Sequence, residues 1–190
     1  MMHKVRRFDL RSVDGLSSEA IELHLGLYKG YVEEVNRLEA RRPDANAYVR
    51  QFAFEWNGMI LHELFFEQLA GPRARAKEQG AFAHLVKRSF AAPAAWRKDV
   101  AELAATRGVG WVATALDPRS ARLHNIWIDL HQLALPAGVD LVFVLDMWEH
   151  AWLPDFPPKQ KAKYVAAVLD NVDWTVLNAR CMAATAAPAA

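Results

Sequence analysis

The chain has 190 residues, of which 53% are hydrophobic and 24% charged, and it carries seven Trp and nine Phe. This composition describes a packed protein rather than a disordered one, and the length allows one sizeable core or two small lobes closed around a cleft. The formal net charge of +1 gives no basic surplus for a nucleic-acid or membrane partner, which leaves local steering of a small anion as the long-range electrostatics to consider.

Cys181 is the single cysteine, which excludes an intrachain disulfide and fits a reducing compartment. The first residues carry charge with no apolar stretch behind them, so no signal peptide is expected there, and no apolar run reaches membrane-spanning length. The expected setting is the cytoplasm of a bacterium-like cell.

Residues 1–16 read as an extended arm ending in Asp14-Gly15. Ser17 or Ser18 offers an N-cap, with Glu19 in the first turn. A helix then runs to about Ala40, with Leu23, Leu27, Val32, Val35 and Leu38 at helical spacing. His24, Tyr28, Tyr31 and Val35 share a second face, His24 and Tyr31 lying two turns apart. Gly26 and Gly30 lower helix propensity, a cost tolerated where something packs closely, so they predict a tight helix pair. Arg41-Arg42-Pro43-Asp44 breaks the helix. A second helix over about 45–69 carries Phe52, Glu55, Gly58, Met59, His62, Phe65, Phe66 and Leu69 on one face. The two form an antiparallel hairpin in which His24 and His62 can meet. Each His alone is equally readable as a hydrogen-bonded core residue.

The basic, polar stretch 71–80 reads as the linker between lobes. Two helices follow over 81–90 and 94–107, the second begun by Ala92-Pro93 and ended by Gly108-Val109-Gly110. Residues 111–116, 123–130 and 141–145 read as three strands of an antiparallel sheet. A last helix is predicted from about Lys161 to Arg180, and the Ala-rich end as a disordered tail. The domain expectation is an α-hairpin over 1–72, an α+β unit over 73–182 and a tail over 183–190.

The chemistry concentrates at Asp146-Met147-Trp148-Glu149-His150, directly after the apolar strand Leu141-Val142-Phe143-Val144-Leu145. A carboxylate at the end of a buried strand is costly unless something uses it. If a helical turn starts after Asp146, the i, i+4 spacing sets Asp146 and His150 on one face, half of a first-row transition-metal site. Asp146 as a plain N-cap and His150 as a packed core residue fit the same stretch.

The order of these features resembles the iron/manganese superoxide dismutases: a His on each hairpin helix, Gly108-Val109-Gly110-Trp111 at the sheet entry, then Asp146-Met147-Trp148-Glu149-His150-Ala151. His62-Glu63-Leu64-Phe65-Phe66 is similar to the family's second-helix ligand motif, with Phe66 where Trp is usual. The resemblance implies an α+β fold in which an N-terminal α-helical hairpin precedes an α/β lobe with a three-stranded antiparallel sheet, the metal lying between the lobes. It implies one Mn or Fe per chain held by His24, His62, Asp146 and His150, with a solvent as fifth ligand. It further implies a redox-cycling enzyme acting on superoxide, and a homodimer in which Glu149 bridges to the His150 of a second copy. Tyr31 matches the tyrosine beside the substrate channel; Trp111 and Trp148 match the aromatic walls. The residue that binds the metal's solvent is a Gln in this family. It comes either from the second helix, where Gly58 stands here, or from the segment after the second strand, where Gln132 stands with His131 as the alternative occupant. That layout resembles the manganese type. Three departures reshape the surroundings: the His24–Tyr31 spacing is one residue short, Tyr28 stands where the family has a His, and Leu153 where it has a Tyr that reaches across the dimer. A metal-dependent oxidase or oxygenase of a small organic substrate, and a non-catalytic relative, are the competing readings on the same scaffold.

Overall fold

The computed structural model describes residues 2–11, 13–41, 45–69 and 78–186. The predicted break at 42–44, most of the linker and the last four residues lie outside the described residues.

The hairpin is built from α1 (Ser18–Arg41) and α2 (Ala45–Glu67). Ser17 caps α1, its hydroxyl accepting the Ala20 N–H at 3.1 Å, and Asp155 fixes the Ser17 N–H at 2.7 Å. Val32, Val35 and Leu38 are buried, whereas Leu23 is 55% and Leu27 40% exposed. The face shared by His24 and Tyr28 is therefore the inward one, and it carries more of the packing than the leucine spacing predicted. Gly26 and Gly30 meet nothing within 4 Å, so they do not mark a tight helix pair. The close approach is at Gly58 of α2, where an added Cβ would lie 2.6 Å from the Tyr31 ring.

α3 (Ala81–Phe90) and α4 (Pro93–Ala104) lead into β1 (Gly110–Asp117), β2 (Arg122–Asp129) and β3 (Asp140–Asp146). The sheet is antiparallel with order β2-β1-β3. Gly110 has φ +153°, and a Cβ there would fall 2.1 Å from the Ile128 carbonyl oxygen, so the residue before Trp111 has to be glycine. One turn, α5 (Glu149–Trp152), follows β3.

The single last helix read from the sequence is two, α6 (Lys161–Asp170) and α7 (Trp174–Ala186). The break has a physical cause. Val172 forms a bridge with Leu69, the Asp173 N–H donates to the Gln68 carbonyl at 2.8 Å, and the Asp173 carboxylate accepts the Thr175 N–H at 2.8 Å to start α7. Helix α7 continues through residue 186, four residues into the stretch read as a tail.

β3 is an edge strand whose outward backbone groups are covered by side chains instead of a fourth strand. The buried Gln68 amide donates to the Val144 carbonyl and accepts its N–H at 3.2 Å. Arg180 of α7 donates to the Val142 carbonyl at 2.9 Å, to the Leu64 carbonyl at 2.8 Å and to Glu67 at 2.9 Å. α2, β3 and α7 are thereby joined by polar contacts at the strand that delivers Asp146. Among the described residues no helix is long and apolar enough to cross a membrane.

Replacing Gln68 by Leu keeps the volume but strands two buried backbone groups of Val144. A loss of about 2–3 kcal/mol in stability is expected, read from urea unfolding of the variant against the parent chain.

Candidate metal centre

Four ligand-type side chains from three parts of the chain converge. His24 comes from α1, His62 from α2, Asp146 from the end of β3 and His150 from α5, and one ligand atom from each lies within 4.8 Å of all the others. The Nε2 atoms of His24, His150 and His62 stand 3.0, 3.2 and 3.6 Å from the same carboxylate oxygen, Asp146 Oδ2. His24, His62 and Asp146 are buried; His150 keeps an 18% exposed edge.

The two oxygens of Asp146 do separate things. Oδ1 accepts the Trp148 N–H at 2.8 Å and so starts the turn that carries His150. Oδ2 faces the three imidazoles. Asp146 is thus not the N-cap of α5, which is Trp148 without a side-chain cap; it makes an i, i+2 turn contact with one oxygen and faces the imidazoles with the other. The Tyr164 hydroxyl donates to the Asp146 backbone carbonyl at 2.8 Å and fixes the strand end from α6.

His62 supplies the strongest test of whether a metal fits. Its Nδ1 lies 2.6 Å from the Gly58 carbonyl oxygen, which can only accept, so Nδ1 carries the proton. Nε2 is then a bare lone pair, buried, without a hydrogen-bond partner, aimed toward a carboxylate oxygen that can only repel it. A cation among these atoms satisfies that lone pair and the carboxylate together. The Gly58 carbonyl is the outer contact that fixes the His62 tautomer, and it was not read from the sequence. Its signal was the i, i+4 spacing of Gly58 and His62.

Titration follows the same geometry. Burial pushes the Asp146 carboxyl up, but hydrogen bonds from His150 and His24 outweigh it and hold the group well below the usual carboxylate range. Burial drives His24 below its ordinary value, and drives His62 well below, helped by the neighbouring His24 charge.

Beside the cluster lies a polar chain that crosses the two lobes. The Trp111 indole N–H donates to His131 Nδ1 at 2.9 Å, and His131 Nε2 lies 2.8 Å from the Tyr31 hydroxyl. An indole only donates, so His131 Nδ1 is the acceptor and its single proton sits on Nε2. His131 therefore donates to the Tyr31 oxygen, and the Tyr31 proton is left to point elsewhere. Burial pushes His131 down to about 4, which keeps it neutral, and burial with the Asp146 charge pushes the Tyr31 phenol up.

The sequence-predicted residues sort as follows. His24, His62, Asp146 and His150 are brought together. Tyr31 and Trp111 flank His62, with ring centroids 5.1 Å away in each case, and Trp148 stacks on His131 at 4.9 Å and on His150 at 5.9 Å. Gln132 does not reach Tyr31: its side-chain oxygen accepts the His131 N–H at 3.2 Å, and His131 takes the inner position instead. Gly58 leaves the space that the Tyr31 ring fills, so a larger side chain there would displace the tyrosine. Tyr28 makes its hydrogen bonds away from the ligands. It is buried behind Phe66, donates to Glu63 at 2.8 Å and accepts the Arg6 N–H at 3.0 Å, tying the N-terminal arm to the hairpin. Glu149 is exposed and Leu153 is 40% exposed on the same short helix. Phe54 closes the wall, 4.6 Å from His131 and 6.4 Å from Trp148, a role its helical register with Gly58 and His62 could have signalled.

The model for "Iron/manganese superoxide dismutases, C-terminal domain" matches residues 78–180. The chain is 29% identical over 198 residues to the superoxide dismutase (Fe) of Aquifex aeolicus (strain VF5), covering 94% of this chain and 92% of that protein. It is 31% identical over 173 residues to the superoxide dismutase (Fe) of Cupriavidus metallidurans, covering 84% and 85%. It is 29% identical over 156 residues to superoxide dismutase (Mn) 2 of Haloferax volcanii, covering 77% of each.

Burial lowers His24, His62 and His131, so each takes up its proton at a lower pH in the folded, metal-free chain than in the unfolded one. Below about pH 6.5 the unfolded state thus binds more protons than the folded one, and stability falls as the pH drops toward 4. Asp146 acts in the same direction in a lower range, its stabilisation being lost only as the pH falls below the ordinary carboxylate value. Urea midpoints of metal-free protein are expected to decline from pH 7.5 to 5, less steeply in His131→Gln; a flat profile in the parent chain would contradict the assignment.

Proposed function

The chain belongs to the iron/manganese superoxide dismutase family, and from that premise we propose that it is a superoxide dismutase using one Mn or Fe ion per chain. The observation that carries this reading is the bare Nε2 of His62 beside the Asp146 oxygen that also faces His24 and His150. Three imidazoles and one carboxylate suit Mn and Fe alike, and relatives named for each metal are similar to this chain. His24, His62, Asp146 and His150 hold the ion, which when bound supplies a one-electron couple that oxidises one superoxide to dioxygen and reduces the next to hydrogen peroxide.

The residues around the ligands handle protons, since hydrogen peroxide needs two for each pair of superoxide anions consumed. Tyr31 keeps its phenolic proton far above neutral pH, and its oxygen already accepts from His131, so the Tyr31 O–H is free to donate into the site. Trp111 holds His131 in the tautomer that makes this possible. Trp111, Phe54, Phe65 and Phe66 give the site aromatic walls that exclude water and strengthen its electrostatics. The Mn preference read from Gln132 loses its support, because His131 stands beside Tyr31 in its place, and the ligand set suits Mn and Fe alike.

We further propose a homodimer across α5 and the first turns of α1. Glu149, Leu153, Leu23 and Leu27 are exposed there, next to the one ligand with an exposed edge, His150. Glu149 would reach the His150 of the second copy.

Elemental analysis after Mn and after Fe loading, with superoxide turnover on the same sample, tests the reading. About one ion per chain with rapid turnover is expected, both lost in His62→Ala. Bound metal without superoxide turnover would overturn it. Tyr31→Phe should keep its metal while losing roughly a hundredfold in turnover, the scale of a displaced proton donor.

A further inference from the structure

The pair Tyr31–His131 is assembled from two lobes. Tyr31 belongs to α1 of the hairpin, while His131 sits on the segment leaving β2. A 2.8 Å hydrogen bond between them survives only if the segment is held to a fraction of an ångström.

The backbone at that point is not relaxed. Leu130, directly before His131, has φ +53°, a left-handed conformation that L side chains rarely adopt. Four hydrogen bonds keep it there. The Leu130 N–H donates to the Val109 carbonyl at 3.3 Å, and the Trp148 indole N–H to the Leu130 carbonyl at 3.3 Å. The Gln132 side chain accepts the His131 N–H at 3.2 Å. These three stay within the sheet lobe. The fourth comes from the hairpin: the Asn57 side-chain N–H donates to the His131 carbonyl at 3.0 Å.

We infer that Asn57 is the positioning residue that registers His131 against Tyr31 and against the metal ligands. It is placed for this by its neighbour. Gly58, the next residue on α2, gives its carbonyl to His62 Nδ1 at 2.6 Å and its open space to the Tyr31 ring. Two consecutive residues of one helical turn thus set the ligand His62, the tyrosine and the peptide that carries His131. Asn57 touches no reacting atom; it acts through the place it gives His131. The inference takes the Tyr31–His131 pair from the proposed function, but its structural content, a His131 peptide held by Asn57 in the place where Trp111 fixes the ring's tautomer, stands apart from the reaction catalysed.

The test uses Asn57→Asp, which keeps the shape and removes the donor, and Asn57→Ala. Nitrogen-15 NMR of the full-length metal-free chain reads the imidazole tautomers, with His62 as internal control for an intact fold. The parent chain should show His131 protonated on Nε2 alone and His62 on Nδ1 alone. In both variants His131 should become a mixture of tautomers while His62 is unchanged, Mn or Fe uptake should stay at the parent level, and turnover of the loaded protein should fall about tenfold. A His131 that keeps its single tautomer in both variants would overturn the inference. A tautomer change in a protein whose parent form has no superoxide turnover would uphold the positioning role and remove the dismutase reading instead.

Discussion

One buried carboxylate oxygen, Asp146 Oδ2, is the constraint on which the remaining architecture depends. It faces three imidazole nitrogens in a setting from which water is largely excluded. An ionised group in such a place is tolerable only when it is paired and hydrogen-bonded. Protons on His24 and His150 answer it in the metal-free chain, and a cation answers it more completely, since His62 has no proton to offer on that side. Without a cation the arrangement is an unfinished polar cluster, which is the chemical argument for a metal there.

Holding Asp146 in place organises the scaffold around it. The strand that delivers it lies at a sheet edge, and its outward groups are covered by Gln68 and Arg180 rather than by another strand. Gln68 directly follows α2 and Arg180 lies on α7, so the end of the helix that supplies His62 and the last helix are fixed to β3 by neighbouring contacts. Tyr164 holds the carbonyl of Asp146 from α6. Tyr28, one turn after His24, also ties down the N-terminal arm, linking Arg6 and Glu63 over the hairpin. The site is thus reached by short-range geometry from every side, which is the condition under which ligands stay within tenths of an ångström of their working positions.

Much of this was legible in the sequence, for physical reasons. The helical spacing of His24 and Tyr31, the five-residue apolar strand before Asp146 and the i, i+4 step to His150 are local patterns whose consequences do not depend on distant packing. What stayed hidden was set by contacts distant in sequence. The helix break before Trp174 depends on Gln68 and Leu69, about a hundred residues away. The choice of His131 over Gln132 depends on a left-handed Leu130 held by Trp148, Val109 and Asn57. The glycines of α1 misled because their small size was read as close packing, when the close packing is at Gly58.

The most direct test of the central claim is anomalous X-ray scattering from crystals of the chain loaded with Mn. The account predicts a single strong peak in the space enclosed by His24 Nε2, His62 Nε2, Asp146 Oδ2 and His150 Nε2, absent from crystals of Asp146→Asn grown in the same way. A peak elsewhere on the chain, or full occupancy retained without the Asp146 carboxylate, would contradict it.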